Sequence, residues 1–237
     1  KTLGLPWVPP ELREDRGEVE AAKANKLPKL IQVKDIKSNL QTHSTWSDGK
    51  LSMLEMARAA AKRGIKVIAF TDHSVGLGVA GGMKMEDHKK QAAEIKKIQK
   101  ELGDEILVLH STEVEIKADG TLDYPDEFLA TLDIVVASLH TSLRQPREKI
   151  TQRLLNAVRN PHVDIIGHPT GREIMPEREG ADLDMEVILK AAADSGVAME
   201  INAHPSRLDL DDAFARRAKD LGVLLSINTD AHSEGDL

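Results

Sequence analysis

Seven short apolar runs, rich in Val, Ile and Leu, recur between residues 35 and 228, and a longer stretch of helical periodicity separates each from the next. The runs cover 35–41, 66–71, 106–115, 133–139, 163–167, 197–202 and 223–228. Such runs read as buried strands, and the segments 51–63, 85–101, 125–131, 147–158, 184–194 and 210–220 read as helices. Ser52-Met53-Leu54-Glu55 has the form of a capping box. Gly64, Gly103, Gly196 and Gly222 fall just past helical stretches, where a left-handed residue closes a helix. Regular alternation of this kind predicts parallel pairing through right-handed crossovers. Only six of the 237 residues are aromatic, so the core must be built from Leu, Ile, Val and Ala.

Residues 1–34 stand apart from this pattern. Three prolines in Leu5-Pro6-Trp7-Val8-Pro9-Pro10 exclude a helix there, and Glu18–Asn25 is a short polar helix candidate. So little apolar face marks a linker or an arm of a larger protein. At the other end the chain stops at Leu237 in the loop after the seventh strand, so a missing C-terminal helix is expected rather than an eighth unit.

No apolar run approaches the roughly 18 residues of a membrane span, and the first residues lack the apolar stretch of a secretion signal. The absence of cysteine excludes disulfides and thiolate metal sites, and a cytoplasmic protein is expected. Net charge is −7, which repels a polyanion at long range, although bound cations would supply local positive charge.

The chemistry lies where the apolar runs stop. His43 and Asp48 follow the first run, His73 the second, His140 the fourth, His168 the fifth, and Asp230 and His232 the seventh, while Glu113 sits near the end of the third. In a β/α barrel the loops at the carboxyl ends of the strands carry the site, so closure would gather all eight. Imidazoles and carboxylates without cysteine suit divalent cations of borderline to hard character.

Individual residues admit other readings. Asp230 and His232 alternate onto one side of an extended segment, yet alone they read as a cap and a surface histidine. Asp72 is either an acceptor orienting an imidazole or a cap of its loop. Glu113, in an apolar run, needs a cation or partner, with Glu115 as a weaker second candidate. His88, in a charged helix, and His162, in a loop, are expected to be solvated. His204 is a candidate for substrate contact. Arg144, Arg172 and Arg207 follow strands four, five and six, where guanidinium groups suit phosphate oxygens, or are ordinary surface arginines.

Gln41-Thr42-His43 with Ser47-Asp48-Gly49, Thr71-Asp72-His73, Glu113, Ser138-Leu139-His140, Gly167-His168-Pro169 and Thr229-Asp230-Ala231-His232 resemble the successive motifs of the PHP (polymerase and histidinol phosphatase) family. The run from Leu3 to Arg13, the run from Asp119 to Asp126 and Gly167-His168-Pro169-Thr170-Gly171-Arg172 are similar to the C-terminal PHP domain of bacterial and archaeal family-X DNA polymerases.

This resemblance implies an α/β fold, a distorted seven-unit (β/α)7 TIM-like barrel over residues 35–237, with residues 1–34 as an arm following a polymerase domain in cis. It implies up to three divalent cations: one on His43, Glu113 and Asp230, a second on Glu113, His140 and His168, and a third on Asp48, His73 and His232. Manganese is the expected working ion, with zinc or iron as alternatives. Asp230, Glu113 and His140 are the implied catalytic residues of a 3′-to-5′ exonuclease acting on DNA 3′ ends. The sequence carries no signal for assembly, so a monomer is the default expectation, with no membrane association.

Gln41 departs from the family, whose first motif has histidine there. A carboxamide is the weaker ligand, so this site should be looser and less selective for zinc. A small-molecule phosphatase of histidinol-phosphatase type and a non-catalytic metal-binding domain remain open alternatives.

Overall fold

The computed structural model describes Gly4 and residues 6–237. Leu3 and Leu5 of the N-terminal motif lie outside the described residues. The chain divides into two compact units, residues 1–36 and 37–237. In the first, 3-10 turns at Pro10–Leu12 and Val33–Asp35 flank helix α1 (Glu18–Lys23). No helix among the described residues is long and apolar enough to cross a membrane.

The second unit is a sheet of seven parallel strands in chain order. They are β1 (Ser38–Thr42), β2 (Val67–Phe70), β3 (Leu107–Glu115), β4 (Ile134–Ser138), β5 (Ile165–Gly167), β6 (Ala198–Asn202) and β7 (Leu225–Asn228). The helices between them are α2 (Met53–Lys62), α3 (Met85–Leu102), α4 (Asp126–Leu129), α5 (Arg147–Val158), α6 (Met185–Ser195) and α7 (Asp212–Asp220). Thr42 bridges Ala231 in parallel and the His43 N–H donates to the Ala231 carbonyl at 2.8 Å. The segment leaving the last strand thus meets the end of the first, and the barrel is nearly closed.

The first strand begins later than the apolar run suggests. Asp35 takes the Gln32 N–H at 3.0 Å and closes a 3-10 turn, a local side-chain bond that competes with the ladder. The helix expected over 125–131 shortens to Asp126–Leu129, with Thr131 turning back to the Phe128 carbonyl at 2.7 Å.

Helix α2 shows why the pattern works. Ser52 and Glu55 form the reciprocal cap, and Met53, Met56, Ala57 and Ala60 make one apolar stripe. That stripe packs with Ile68 and Phe70 of β2 and with Ile95 and Ile98 of α3. Phe70 is fully buried, and truncation to alanine should cost about 3–5 kcal/mol. A second layer joins Val114, Val135, Ala137, Ile166 and Met199 of the sheet to Leu154, Leu155, Ile188 and Leu189 of α5 and α6.

The barrel interior is different in kind. Strand residues alternate, and those facing away from the helices include Asn39, Gln41, Glu113, Glu200, Asn202 and Asn228, all buried. They hydrogen-bond to one another: Gln41 Nε2 to Glu113 Oε1 at 3.0 Å, and Asn228 Nδ2 to Glu200 Oε1 at 2.9 Å. Space there is tight. A Cβ on Gly167 would stand 2.5 Å from Ser138 Oγ and 2.8 Å from a Val136 methyl, so the strand leading to His168 requires glycine.

Candidate metal centre

Each candidate ligand rises from the carboxyl end of a strand. His43 follows β1 and Asp48 sits on the turn beyond it; His73 follows β2, Glu113 lies within β3, His140 and His168 follow β4 and β5, and Asp230 and His232 follow β7. All eight are brought together.

Glu113 is the hub. It is buried on β3, and four imidazoles face its carboxylate. His168 Nε2 and His140 Nε2 lie 2.9 and 3.3 Å from Oε1, while His73 Nδ1 and His43 Nε2 lie 3.1 and 3.4 Å from Oε2. His43 Nε2 also lies 3.0 Å from Asp230 Oδ1. On the outer side Asp48 Oδ1 is 3.3 Å from His232 Nε2 and 3.6 Å from His73 Nε2. The rings of His43 and His232 stack with centroids 4.2 Å apart.

Three donor sets have all their atoms within 4.8 Å of one another: His43, Glu113 and Asp230; His73, Glu113 and His140; and His43, Asp48, His73 and His232. The resemblance pairs His168 with Glu113 and His140, whereas the tightest grouping there takes His73.

Several donor atoms fit a cation better than they fit each other. Glu113 Oε2 and His73 Nδ1 are buried within 3.1 Å of one another, and neither makes a hydrogen bond. Nδ1 of His43 and Nδ1 of His168 are likewise buried without a partner. Buried polar atoms are nearly always paired, so unpartnered donor atoms within sets this compact suit divalent ions. Backbone geometry agrees: His168 and Asp230 hold positive φ of 27° and 53°, a region that β-carbon-bearing residues avoid and that clusters at functional sites.

Electrostatics keep the hub charged. Burial alone would raise the Glu113 carboxyl, but the His73 and His140 imidazoles hold it well below its ordinary value. Burial opposes protonation of His140 too, yet Glu113 and Glu115 raise it to about 10. His232 rises to about 9 against its own burial, through its bond to Asp48. His73 falls to about 3, chiefly because it is buried.

Surrounding residues fix this arrangement. Asp72 accepts from the Ser44 N–H and hydroxyl, the Ser47 hydroxyl and Gln91 Nε2 at 2.7–2.8 Å. It therefore pins the loop carrying His43 and Asp48 and touches no imidazole, which decides between its two readings. Glu115 is the carboxylate that holds an imidazole, with Oε2 2.7 Å from His140 Nδ1. Gln41 donates to Glu113 and leaves its own carbonyl oxygen unpaired.

The arginines separate. Arg207 lines the cavity above the hub, about 320 Å³ in volume, with Nε 3.4 Å from Asp230 Oδ2. Arg144 is exposed, 3.5 Å from Glu179, and Arg172 spends its guanidinium on the carbonyls of Arg207 and Leu208. Neither lines the cavity, nor does His204, whose Nδ1 takes the Ser206 hydroxyl at 2.7 Å.

Two expectations need correction, and two further residues join the site. His88 is buried rather than solvated, because the neutral ring is held between His110 and Tyr124; His162 is half-buried. Arg178 also lines the cavity, with Nε and Nη2 donating to the Gly171 carbonyl at 3.0 and 2.8 Å and Nη2 3.0 Å from Glu173, and its sequence context gives no sign of it. Glu200, buried under the site, takes the His168 N–H at 2.7 Å; burial and then the nearby Asp230 raise its carboxyl well above its usual value. A charge inside the apolar run 197–202 was its available signal, as it was for Glu113.

Comparison with known proteins places these features in context. The PHP domain matches residues 39–204. A DNA polymerase/3′-5′ exonuclease PolX of Bacillus subtilis is 46% identical over 231 residues, 98% of this chain and 40% of that protein. A probable phosphatase of Thermoanaerobacter sp. is 35% identical over 216 residues, 84% of this chain and 80% of that one. The fold is shared by the crystal structure of histidinol phosphate phosphatase from Lactococcus lactis complexed with zinc, L-histidinol and phosphate, at TM-score 0.57 and 19% identity, over 84% of this chain and 87% of that one. The chain thus spans about two fifths of the length of the polymerase it matches.

Proposed function

This chain belongs to the PHP domain family, and from that premise we propose that it is a metal-dependent phosphoesterase processing DNA 3′ ends, a 3′-to-5′ exonuclease within a family-X DNA polymerase. The observation that carries the chemistry is a buried carboxylate, Glu113, ringed by four imidazoles at 2.9–3.4 Å. The 46% identity to PolX across nearly the whole chain supports the DNA substrate and a polymerase domain in cis, with residues 1–34 as the joining arm; a cytoplasmic monomer is part of the same proposal.

In this reading His43, Glu113 and Asp230 hold one cation, Glu113, His140 and His168 a second, and Asp48, His73 and His232 a third, with manganese the working ion and zinc or iron as substitutes. Such cations polarise phosphoryl oxygens and lower the pKa of water. The chain supplies the rest. Arg207, near Asp230 and 3.7 Å from Glu173, stands on the cavity wall as the guanidinium that would neutralise phosphate oxygens, beside Arg178, whose Nε and Nη2 are given to the Gly171 carbonyl. In this reading Asp230, Glu113 and His140 serve the reaction by holding the cations at the cavity floor. Leu77, Val79, Ala80 and Leu139 line the same cavity and limit water around the ester.

The test is hydrolysis of a 3′-labelled DNA strand after chelation, with Mn²⁺ titrated in, against the His140→Ala/Asp230→Ala double variant. Metal-dependent trimming that disappears in the variant is the expected result. A second reading, a phosphomonoesterase, is favoured by the Thermoanaerobacter relative named a probable phosphatase, four fifths of which this chain spans. Turnover of small phosphomonoesters with inert DNA would select it.

A further inference from the structure

Arg153 is a buried arginine on α5, its side chain only 1% exposed, on a helix outside the barrel. A guanidinium withdrawn from water is costly unless its hydrogen bonds are met, and an aliphatic side chain would fill the same space without that cost. Arg153 meets them at one place. Its Nε and Nη2 donate to the Ile116 carbonyl just past β3, its Nη1 to the Thr141 carbonyl just past His140 at 2.8 Å, and its Nη2 reaches Glu115 Oε1 at 3.4 Å. Thr141 adds its hydroxyl to that same oxygen at 2.8 Å.

The other oxygen of Glu115 lies 2.7 Å from His140 Nδ1, and His140 Nε2 is directed to Glu113. Glu115 thus stands between a buried cation and an imidazole. With Nδ1 turned to Glu115, Nε2 is the ring nitrogen left to face the donor cluster. Resting on the reading of His140 as a metal ligand, we propose that Arg153 is a positioning residue that sets divalent-cation affinity by holding Glu115, and through it the His140 ring. The loops after β3 and β4 are fastened by the same guanidinium, so the direction of His140 depends on a helix that never enters the cavity.

The experiment measures Mn²⁺ and Zn²⁺ affinity and stoichiometry on the chelated full chain by calorimetry, for the parent, Arg153→Met, Arg153→Lys, Glu115→Gln and the double variants. Arg153→Met and Glu115→Gln should each weaken cation binding about 10–100-fold, the usual effect of removing an outer partner of a ligating histidine. Arg153→Lys should recover part of the loss, since lysine keeps the charge but not the fork. Combining Arg153→Met with Glu115→Gln should cost no more than Glu115→Gln alone, because one acts through the other. Parental affinity in a folded Arg153→Met, or additive losses, would overturn the proposal. If Arg153→Met does not fold, the cycle of Arg153→Lys with Glu115→Gln decides by the same criterion. A parent chain that takes up no divalent cation refutes the ligand reading itself, whereas a parent that binds alongside unaffected variants refutes only the role of Arg153.

Discussion

Nδ1 of His73 and Oε2 of Glu113 lie 3.1 Å apart in the buried floor of the cavity, and neither hydrogen-bonds the other. Both residues belong with His140 to a set of donors whose ligand atoms lie within 4.8 Å of one another. Glu113→Gln keeps the shape and removes the charge that serves two of the three donor sets. The expected result is loss of at least one bound ion per chain by elemental analysis and abolished hydrolysis. Melting of the chelated protein should fall as well, because the buried His140 imidazole loses its carboxylate partner, so metal content is the deciding readout. Full metal content in the variant would remove Glu113 from the centre.

Gln41 Nε2 donates to Glu113 Oε1 at 3.0 Å while its own Oε1 stays unpaired. Gln41→His places an imidazole beside the first donor set, and imidazole is the better zinc ligand. Zinc affinity should rise about tenfold or more, a change of roughly 1.4 kcal/mol. An unchanged Zn²⁺ titration would mean that position 41 serves only to orient Glu113.

Asp72 is fully buried and its carboxylate receives four hydrogen bonds. Asp72→Ala strands four donors at once, at about 1–3 kcal/mol for each that stays unpaired. Water entering the vacated space relieves part of this, so urea unfolding of the chelated protein should show a loss of about 3–5 kcal/mol. Asp72→Asn, which keeps an acceptor, should lose less. Equal stability of the two variants would contradict the pinning role of the carboxylate.

Strand order and the candidate ligand positions are legible in the sequence for one physical reason: a parallel sheet covered by helices needs unbroken apolar runs, so a histidine or carboxylate ending a run stands out. The polar barrel interior is less legible. Asn39, Gln41, Asn202 and Asn228 alternate with apolar neighbours, and only closure of the sheet shows that they face one another. Arg153 and Arg178 resemble the surface arginines around them, because a buried charge is recognised by its partners, and those partners are distant in sequence. The misplacement of His88 has the same origin: a charged helix hides one buried face.

That buried histidine gives a pH dependence away from the candidate metal centre. His88 Nε2 is 3.2 Å from the Tyr124 hydroxyl, which donates on to the Met83 carbonyl, and His88 Nδ1 is 3.3 Å from His110 Nε2. Burial first, and the neighbouring His110 second, lower His88 from 6.5 to about 4. The unfolded chain therefore binds this proton more readily than the folded one. Its stabilising effect is complete above about pH 6.5, declines as pH falls, and is gone below about pH 4. The whole span amounts to about 3 kcal/mol. His88→Gln retains hydrogen-bonding capacity without titrating. Urea unfolding of chelated protein at pH 7 and pH 5 should show the parent losing about 2 kcal/mol more than the variant between the two. Parallel losses would show that His88 titrates normally and that the ring is reached by water in the folded chain.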